Sequence, residues 1–239
     1  MRIVIAGPPK AGNVWLKCIL SNVYDLRQLG PKATPTKANF AAFEAWQRDT
    51  NFPDGSIYHQ HYDYSPALAD AIAAVPAHLV TIIRDPYDAF VSSYYTLQSH
   101  LDDDLRKGRR SDAMLGKPLD HPDVLAYLEQ GGFRSNMVRA RSWLESGRSA
   151  IVRYEELHAD PIGALQRLTA QIAPADPERL ARAIDTCSAA NMRKLGGGKS
   201  KHVRTAKVGD SKERLNEDHL AIFRTQHADL IRSLGYEVR

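Results

Sequence analysis

Apolar residues gather along the chain in short runs separated by stretches of helical spacing. Arg2 to Ala6 is one run, His78 to Ile83 a second and Ala150 to Arg153 a third; the more polar Ser56 to Gln60 is a fourth. Short apolar runs alternating with helical patterns predict an α/β fold: a single domain over residues 1–239, with a mainly parallel sheet flanked by helices. Three helix starts share one form. Ser65-Pro66, Asp85-Pro86 and Asp160-Pro161 each put an oxygen-bearing cap before a proline, which needs no hydrogen bond at the first helical position. Asp85-Pro86 directly follows a strand, so it marks a turn at the carboxyl edge of the sheet, where open α/β sheets bind ligands.

The last helix is expected to begin at an Asn216 cap, with Glu217 and Asp218 in its first turn, and to end at Gly235. Leu220, Phe223, Leu230, Ile231 and Leu234 recur along it at helical spacing. Two segments read as loops with freedom to move: Leu101 to Pro118, dense in charge, and Leu195 to Lys212, with three consecutive glycines and several basic residues.

Composition narrows the class. Of 239 residues, 43% are hydrophobic and 25% charged, which excludes a disordered chain, a collagen-like chain and a coiled-coil rod. No apolar run reaches membrane-spanning length, and the apolar start is too short for a signal-peptide core. The net charge of +4 is mild for a dedicated nucleic-acid binder, but it leaves room for a local site for a small anion. The two cysteines, Cys18 and Cys187, fall in no CxxC or zinc-type spacing. Neither a disulfide framework nor structural zinc is expected, and a reducing cytoplasm is the simplest compartment.

The first strand runs into Gly7-Pro8-Pro9-Lys10-Ala11-Gly12-Asn13-Val14-Trp15. A glycine-bearing turn entering a helix offers backbone N–H groups and a helix dipole to an anion. Gly7 and Gly12 have the Walker A spacing, but Asn13-Val14 stands where a Lys-Ser/Thr pair should follow, and the lysine sits inside the loop as Lys10. The hydroxyl that would hold Mg²⁺ is missing, so a metal-dependent nucleotide hydrolase is disfavoured. An ordinary strand-helix turn with a solvated lysine is the alternative on this segment alone.

Three segments together carry a resemblance. Pro9-Lys10-Ala11-Gly12-Asn13-Val14-Trp15-Leu16 resembles the 5′-phosphosulfate loop of the soluble sulfotransferases. The run from Arg84 through Ser92 to Tyr94-Tyr95 resembles their 3′-phosphate motif, and Arg204 to Lys212 resembles their carboxyl-terminal basic segment. The resemblance spans about Ile3 to Tyr236. It implies a P-loop NTPase-like sulfotransferase fold without a metal. It also implies transfer of a sulfuryl group from 3′-phosphoadenosine 5′-phosphosulfate (PAPS) to a hydroxyl or, second, an amine of a small-molecule or glycan acceptor. The product would be adenosine 3′,5′-bisphosphate (PAP). No nucleic-acid or membrane partner is implied.

By the same resemblance, Lys10 neutralises the leaving phosphate, and N–H groups from Ala11, Gly12, Asn13, Val14 and Trp15 cradle it. Trp15 and Tyr154 meet the adenine. Arg84, Ser92 and Arg204, with Thr205 beside it, grip the 3′-phosphate. His61 takes the place of the family's base, and imidazole titrates in the right range. His59 stands where the family often has lysine. Two other readings of the histidines stay open: a metal site from His59, His61 and Asp63, and a structural pair. Departures lie in the basic segment, where Thr205, Ala206 and Ser211 replace lysine, glycine and tryptophan; Lys199, Lys201 or Lys207 would supply the missing charge. Ala189 stands near the position of an aromatic that usually stacks on adenine. Variable segments, here Gln28 to Asn51 and Gln98 to Pro118, shape the acceptor in the family. The loop sequence is similar to that of bacterial enzymes acting on secondary metabolites. A P-loop kinase and a non-catalytic nucleotide-binding module are the rival functions.

Overall fold

The computed structural model describes residues 1–35, 37–50, 52–99, 113–194 and 207–239. Five parallel strands form one sheet in the order β2-β3-β1-β4-β5. They are β1 (Arg2–Ala6), β2 (Arg27–Gln28), β3 (Ser56–Gln60), β4 (Ala77–Ile83) and β5 (Ala150–Arg153). Three strands have the expected bounds, β4 starts one residue early, and the two-residue β2 is an addition. It is too short to leave a periodic signal.

Period-two alternation in β1 separates the two faces of the sheet. Ile3 and Ile5 pack with α1 (Asn13–Val23), α8 (Pro161–Thr169) and α9 (Pro177–Thr186). Val4 and Ala6 face an aromatic cluster that includes Phe43 and Trp46 of α2 (Phe40–Thr50) and Leu68 and Ile72 of α3 (Pro66–Ala74). A third cluster joins α4 (Pro86–Gln98), α5 (Pro122–Glu129) and α6 (Arg134–Ser146) to the carboxyl-terminal helices. Short α7 (Tyr154–Ala159) follows β5 directly, and α10 (Ala189–Lys194) follows α9.

The cap-proline starts form as expected. Ser65 accepts from Leu68 N–H, Asp160 from Gly163 N–H, and Asp85 from both Tyr87 and Asp88 N–H groups. Asp176-Pro177 has the same form, and at His121-Pro122 a ring nitrogen takes the place of the oxygen, Nδ1 accepting from Asp123 N–H. The chain leaves β1 toward the β2 edge and β4 toward the β5 edge, so the carboxyl ends of β1 and β4 flank a topological switch point.

Three expectations need correction. Cys18 and Cys187 form a disulfide across 169 residues of chain, because α1 packs along α9 and brings the two together. Spacing along the chain carries no trace of that packing. The final helix is two, α11 (Glu217–Gln226) and α12 (Ala228–Ser233). They break at His227, whose buried ring bonds the Leu128 carbonyl at 2.8 Å. Of the two loops, the described end of the first is fastened to α4: the Gln98 amide donates to Met114 O at 2.7 Å and accepts from Gly116 N–H at 2.8 Å. The described end of the second forms a 3-10 turn at Asp210–Glu213. The remainder of both lies outside the described residues.

Candidate active site

The loop after β1 bends through left-handed backbone at Lys10 (φ 65°) and Gly12 (φ 109°). Glycine is required at the second position: a Cβ there would lie 2.8 Å from the Tyr154 ring. Asn13 is buried, and its amide donates to the Pro8 carbonyl at 2.8 Å, closing the loop on itself. Helix α1 has Gly12 at its N-cap, which has no side chain to offer, and its first turn holds no acidic residue. Its opening N–H groups and positive dipole end are available to an anion. The Ala11 methyl packs into the core, so this residue offers a ligand only its backbone. Pro9, Lys10, Gly12, Asn13, Val14 and Trp15 line a cavity of about 960 Å³, near the upper end for small-molecule sites.

Arg84, at the end of β4, faces the same cavity and is held from several sides. Its guanidinium donates to the Lys10 carbonyl at 3.5 Å and to the Lys207 carbonyl at 3.1 Å. It also lies 4.2 Å over the Tyr154 ring and 3.7 Å from the Asp88 carboxylate. Its Nε is buried with no hydrogen-bond partner among the described residues. A buried N–H of a permanent cation without a partner is costly unless an anion completes it. Ser92 and Tyr95 on α4 line the cavity beside it. Tyr154, the first residue of α7, meets Trp15 edge-on at 5.6 Å, so the two aromatics of the sequence reading stand together.

His61 follows β3 and also lines the cavity. Its Nδ1 is 3.0 Å from the Gly7 carbonyl, which can only accept, so Nδ1 carries the proton and Nε2 is the basic nitrogen. Burial lowers its pKa. The Gly7 bond opposes that shift, and the charges of Arg139 and Lys10 add to it. Imidazole is therefore neutral at pH 7. Its backbone is fixed by the Gln60 side chain, which accepts from His61 N–H at 3.0 Å and donates to the Pro35 carbonyl at 3.0 Å. The His59 ring lies 5.9 Å from that of His61 and faces the same cavity.

Asp63 does not join the histidines. It is exposed and bonds Arg139 at 2.8 Å, which removes it from the metal grouping considered above. Among the described residues, no cluster of three His, Cys, Asp or Glu side chains is placed to hold a metal. The Lys207 ammonium pairs with Glu213 at 2.7 Å, so it does not reach the site as the replacement charge. Arg204 and Thr205, with Lys199 and Lys201, lie outside the described residues.

Two acidic residues of this region, both inside the matched motifs, had no role assigned from sequence. Glu155 accepts from Asp85 N–H at 2.8 Å and from the Tyr236 hydroxyl at 2.9 Å, which ties β4, α7 and the carboxyl terminus together. Asp88, four residues after Arg84, is the other. Its i,i+4 spacing was the available signal, but its remaining partners lie far along the chain.

The arrangement pairs a phosphate-type cradle with a neutral imidazole in one cavity, and it suits group transfer from an anionic donor. No helix among the described residues is long and apolar enough to cross a membrane. The sequence matches a family model described as the sulfotransferase domain over residues 1–230. Among solved structures, a mouse sulfotransferase complexed with PAP is similar at TM-score 0.72 and 18% identity, covering 97% of this chain and 84% of that one. A retinol dehydratase in complex with androsterone and inactive cofactor PAP is similar at TM-score 0.66 and 13% identity, covering 100% and 82%. A sulfotransferase domain from the curacin biosynthetic pathway is similar at TM-score 0.51 and 14% identity, covering 99% and 98%. No curated protein matches by sequence. At these identities the structural likeness speaks for the fold, and the family match speaks for kinship. Because that match runs through every strand of the sheet and on to Leu230, the chain belongs to the sulfotransferase domain family.

Proposed function

We propose that residues 1–239 act as one PAPS-dependent sulfotransferase domain with His61 as the base and a hydroxyl-bearing small molecule as acceptor. The observation that carries this reading is the convergence, around one cavity, of the uncapped start of α1, Arg84 and the neutral His61 ring. These groups fit a ligand with phosphates at two ends: α1 and Lys10 suit the 5′-phosphate, and Arg84 with Ser92 suits the 3′-phosphate.

PAPS supplies the sulfuryl group: the acceptor oxygen bonds to sulfur as the bond from sulfur to the 5′-phosphate oxygen breaks. Nε2 of His61 takes the acceptor's proton, while the Gly7 carbonyl holds Nδ1–H and stabilises the imidazolium that forms. Lys10 and the N–H groups of α1 meet the charge that develops on the leaving phosphate. Trp15 and Tyr154 provide an aromatic corner for the adenine. Lys10, Arg84 and backbone donors suffice electrostatically, since sulfuryl carries less charge than phosphoryl.

The complexes of similar proteins with PAP support the donor, and the androsterone complex supports an acceptor of small-molecule size. The biosynthetic neighbour supports a secondary metabolite. Thermal unfolding with PAP, ADP and ATP plus Mg²⁺ tests the reading. PAP at 100 times its dissociation constant adds about 2.7 kcal/mol, a rise of roughly 5–11 °C at this size. ADP is expected to do much less. A shift with ATP and Mg²⁺ but not with PAP would sink the proposal in favour of a kinase.

A further inference from the structure

Asp88 sits in the first turn of α4, where the helix dipole alone would account for a carboxylate. Its partners say otherwise. One oxygen accepts from Gly209 N–H at 2.7 Å and the other from Ser211 N–H at 2.9 Å, and the side chain is 1% exposed. Gly209 has φ 82°, a left-handed turn that aims both N–H groups at one carboxylate. Ser211 replaces the family's tryptophan, yet its backbone is held here all the same.

The same carboxylate lies 3.7 Å from Nη2 of Arg84, the nitrogen that donates to the Lys207 carbonyl. Nη1 is taken by the Lys10 carbonyl, and one face of the guanidinium is covered by Tyr154. What remains is Nε, buried and unpartnered among the described residues. Asp88 thus touches two things at once: it hydrogen-bonds the Gly209–Ser211 turn and sets a negative charge beside the Arg84 guanidinium. A bare carboxylate beside a phosphate site would repel the ligand. Here two N–H groups and a guanidinium offset its charge.

We propose that Asp88 is a positioning residue for recognition of the donor's 3′-phosphate: it steadies Arg84 at the cavity wall and pins the Gly209–Ser211 turn against α4. This rests on the reading of Arg84 as a 3′-phosphate ligand. Adenosine 5′-monophosphate (AMP) is PAP without that phosphate, so the ratio of the two affinities isolates it. In Asp88→Asn one oxygen becomes an NH₂ group facing an N–H, while size is kept. The PAP-to-AMP preference is expected to fall about tenfold or more, the scale of one charge-assisted bond, with AMP affinity little changed.

Equal weakening of both ligands, or no weakening, overturns the role of Asp88 while leaving that of Arg84 intact. A wild-type protein that binds PAP no better than AMP overturns both. Amide hydrogen exchange on the wild-type protein decides the matter even if the variant does not fold. PAP, but not AMP, is expected to slow exchange at Gly209 and Ser211. Equal protection by both ligands counts against the proposal.

Discussion

The ring of His61 is tied to the first residue of the phosphate loop: its Nδ1 donates to the Gly7 carbonyl at 3.0 Å. That one bond sets the tautomer, leaves Nε2 as the basic nitrogen, and keeps base and loop in register. Position and protonation state therefore share a cause.

His61→Ala is expected to lower turnover by about 10²–10⁴-fold, the range of a general base, while PAP affinity stays within about threefold of wild type. Parallel turnover assays and PAP titrations check it. Wild-type turnover in the variant would refute the assignment.

The depressed pKa of His61 gives a pH signature. The neutral ring is the working form, so kcat/KM should rise with pH through a point below the ordinary histidine value and be flat by neutrality. Stability follows the same sign. The unfolded chain binds this proton more readily than the folded one, so the contribution is fully present above the unfolded pKa and is lost as pH falls through the folded value. Denaturant melts across this window, with His61→Gln as control, should show the slope disappear.

Tyr154 contributes a face rather than a hydroxyl to Arg84, at 4.2 Å from the guanidinium. Tyr154→Phe should bind PAP within about twofold of wild type. Tyr154→Ala should lose about tenfold, since it removes both the cation–π contact and the corner with Trp15. Calorimetric titration separates the two outcomes.

Gly12→Ala places a methyl 2.8 Å from the Tyr154 ring and 3.1 Å from Ile82, at a backbone angle that disfavours any side chain. A cost of about 1–3 kcal/mol in urea unfolding is expected, together with loss of the thermal shift on PAP.

The Cys18–Cys187 bridge closes a long loop and joins α1, the helix that bears the anion loop, to the end of α9. Removing it through the double serine variant should cost about 2–5 kcal/mol, or roughly 4–20 °C at this size. Thiol titration of the denatured protein should find no free thiol without reductant and two after reduction. Two thiols before reduction would return the pair to the state expected of a reducing compartment.

Strands, cap-proline helix starts and the anion loop were legible along the chain, because each is a local pattern. A short apolar run, an oxygen before a proline and a glycine-lysine turn act within a few residues. Arg84, Ser92, His61 and Tyr154 could likewise be named from short motifs, and the structure gathers them around one cavity. The Cys18–Cys187 bridge, the turn of Gly209 and Ser211 against Asp88, and the removal of Asp63 by Arg139 join segments from 76 to 169 residues apart. Such pairings follow from which helix packs on which face of the sheet, and neither spacing nor composition encodes that choice. The break at His227 has the same origin. The helical spacing of Leu220, Phe223, Leu230, Ile231 and Leu234 gives no sign of it, and the break falls where the buried His227 ring bonds the Leu128 carbonyl near the end of α5. The chemistry of the site was thus written locally, and its precision was set by packing, because a side chain's partners are decided by what the fold brings within hydrogen-bond reach.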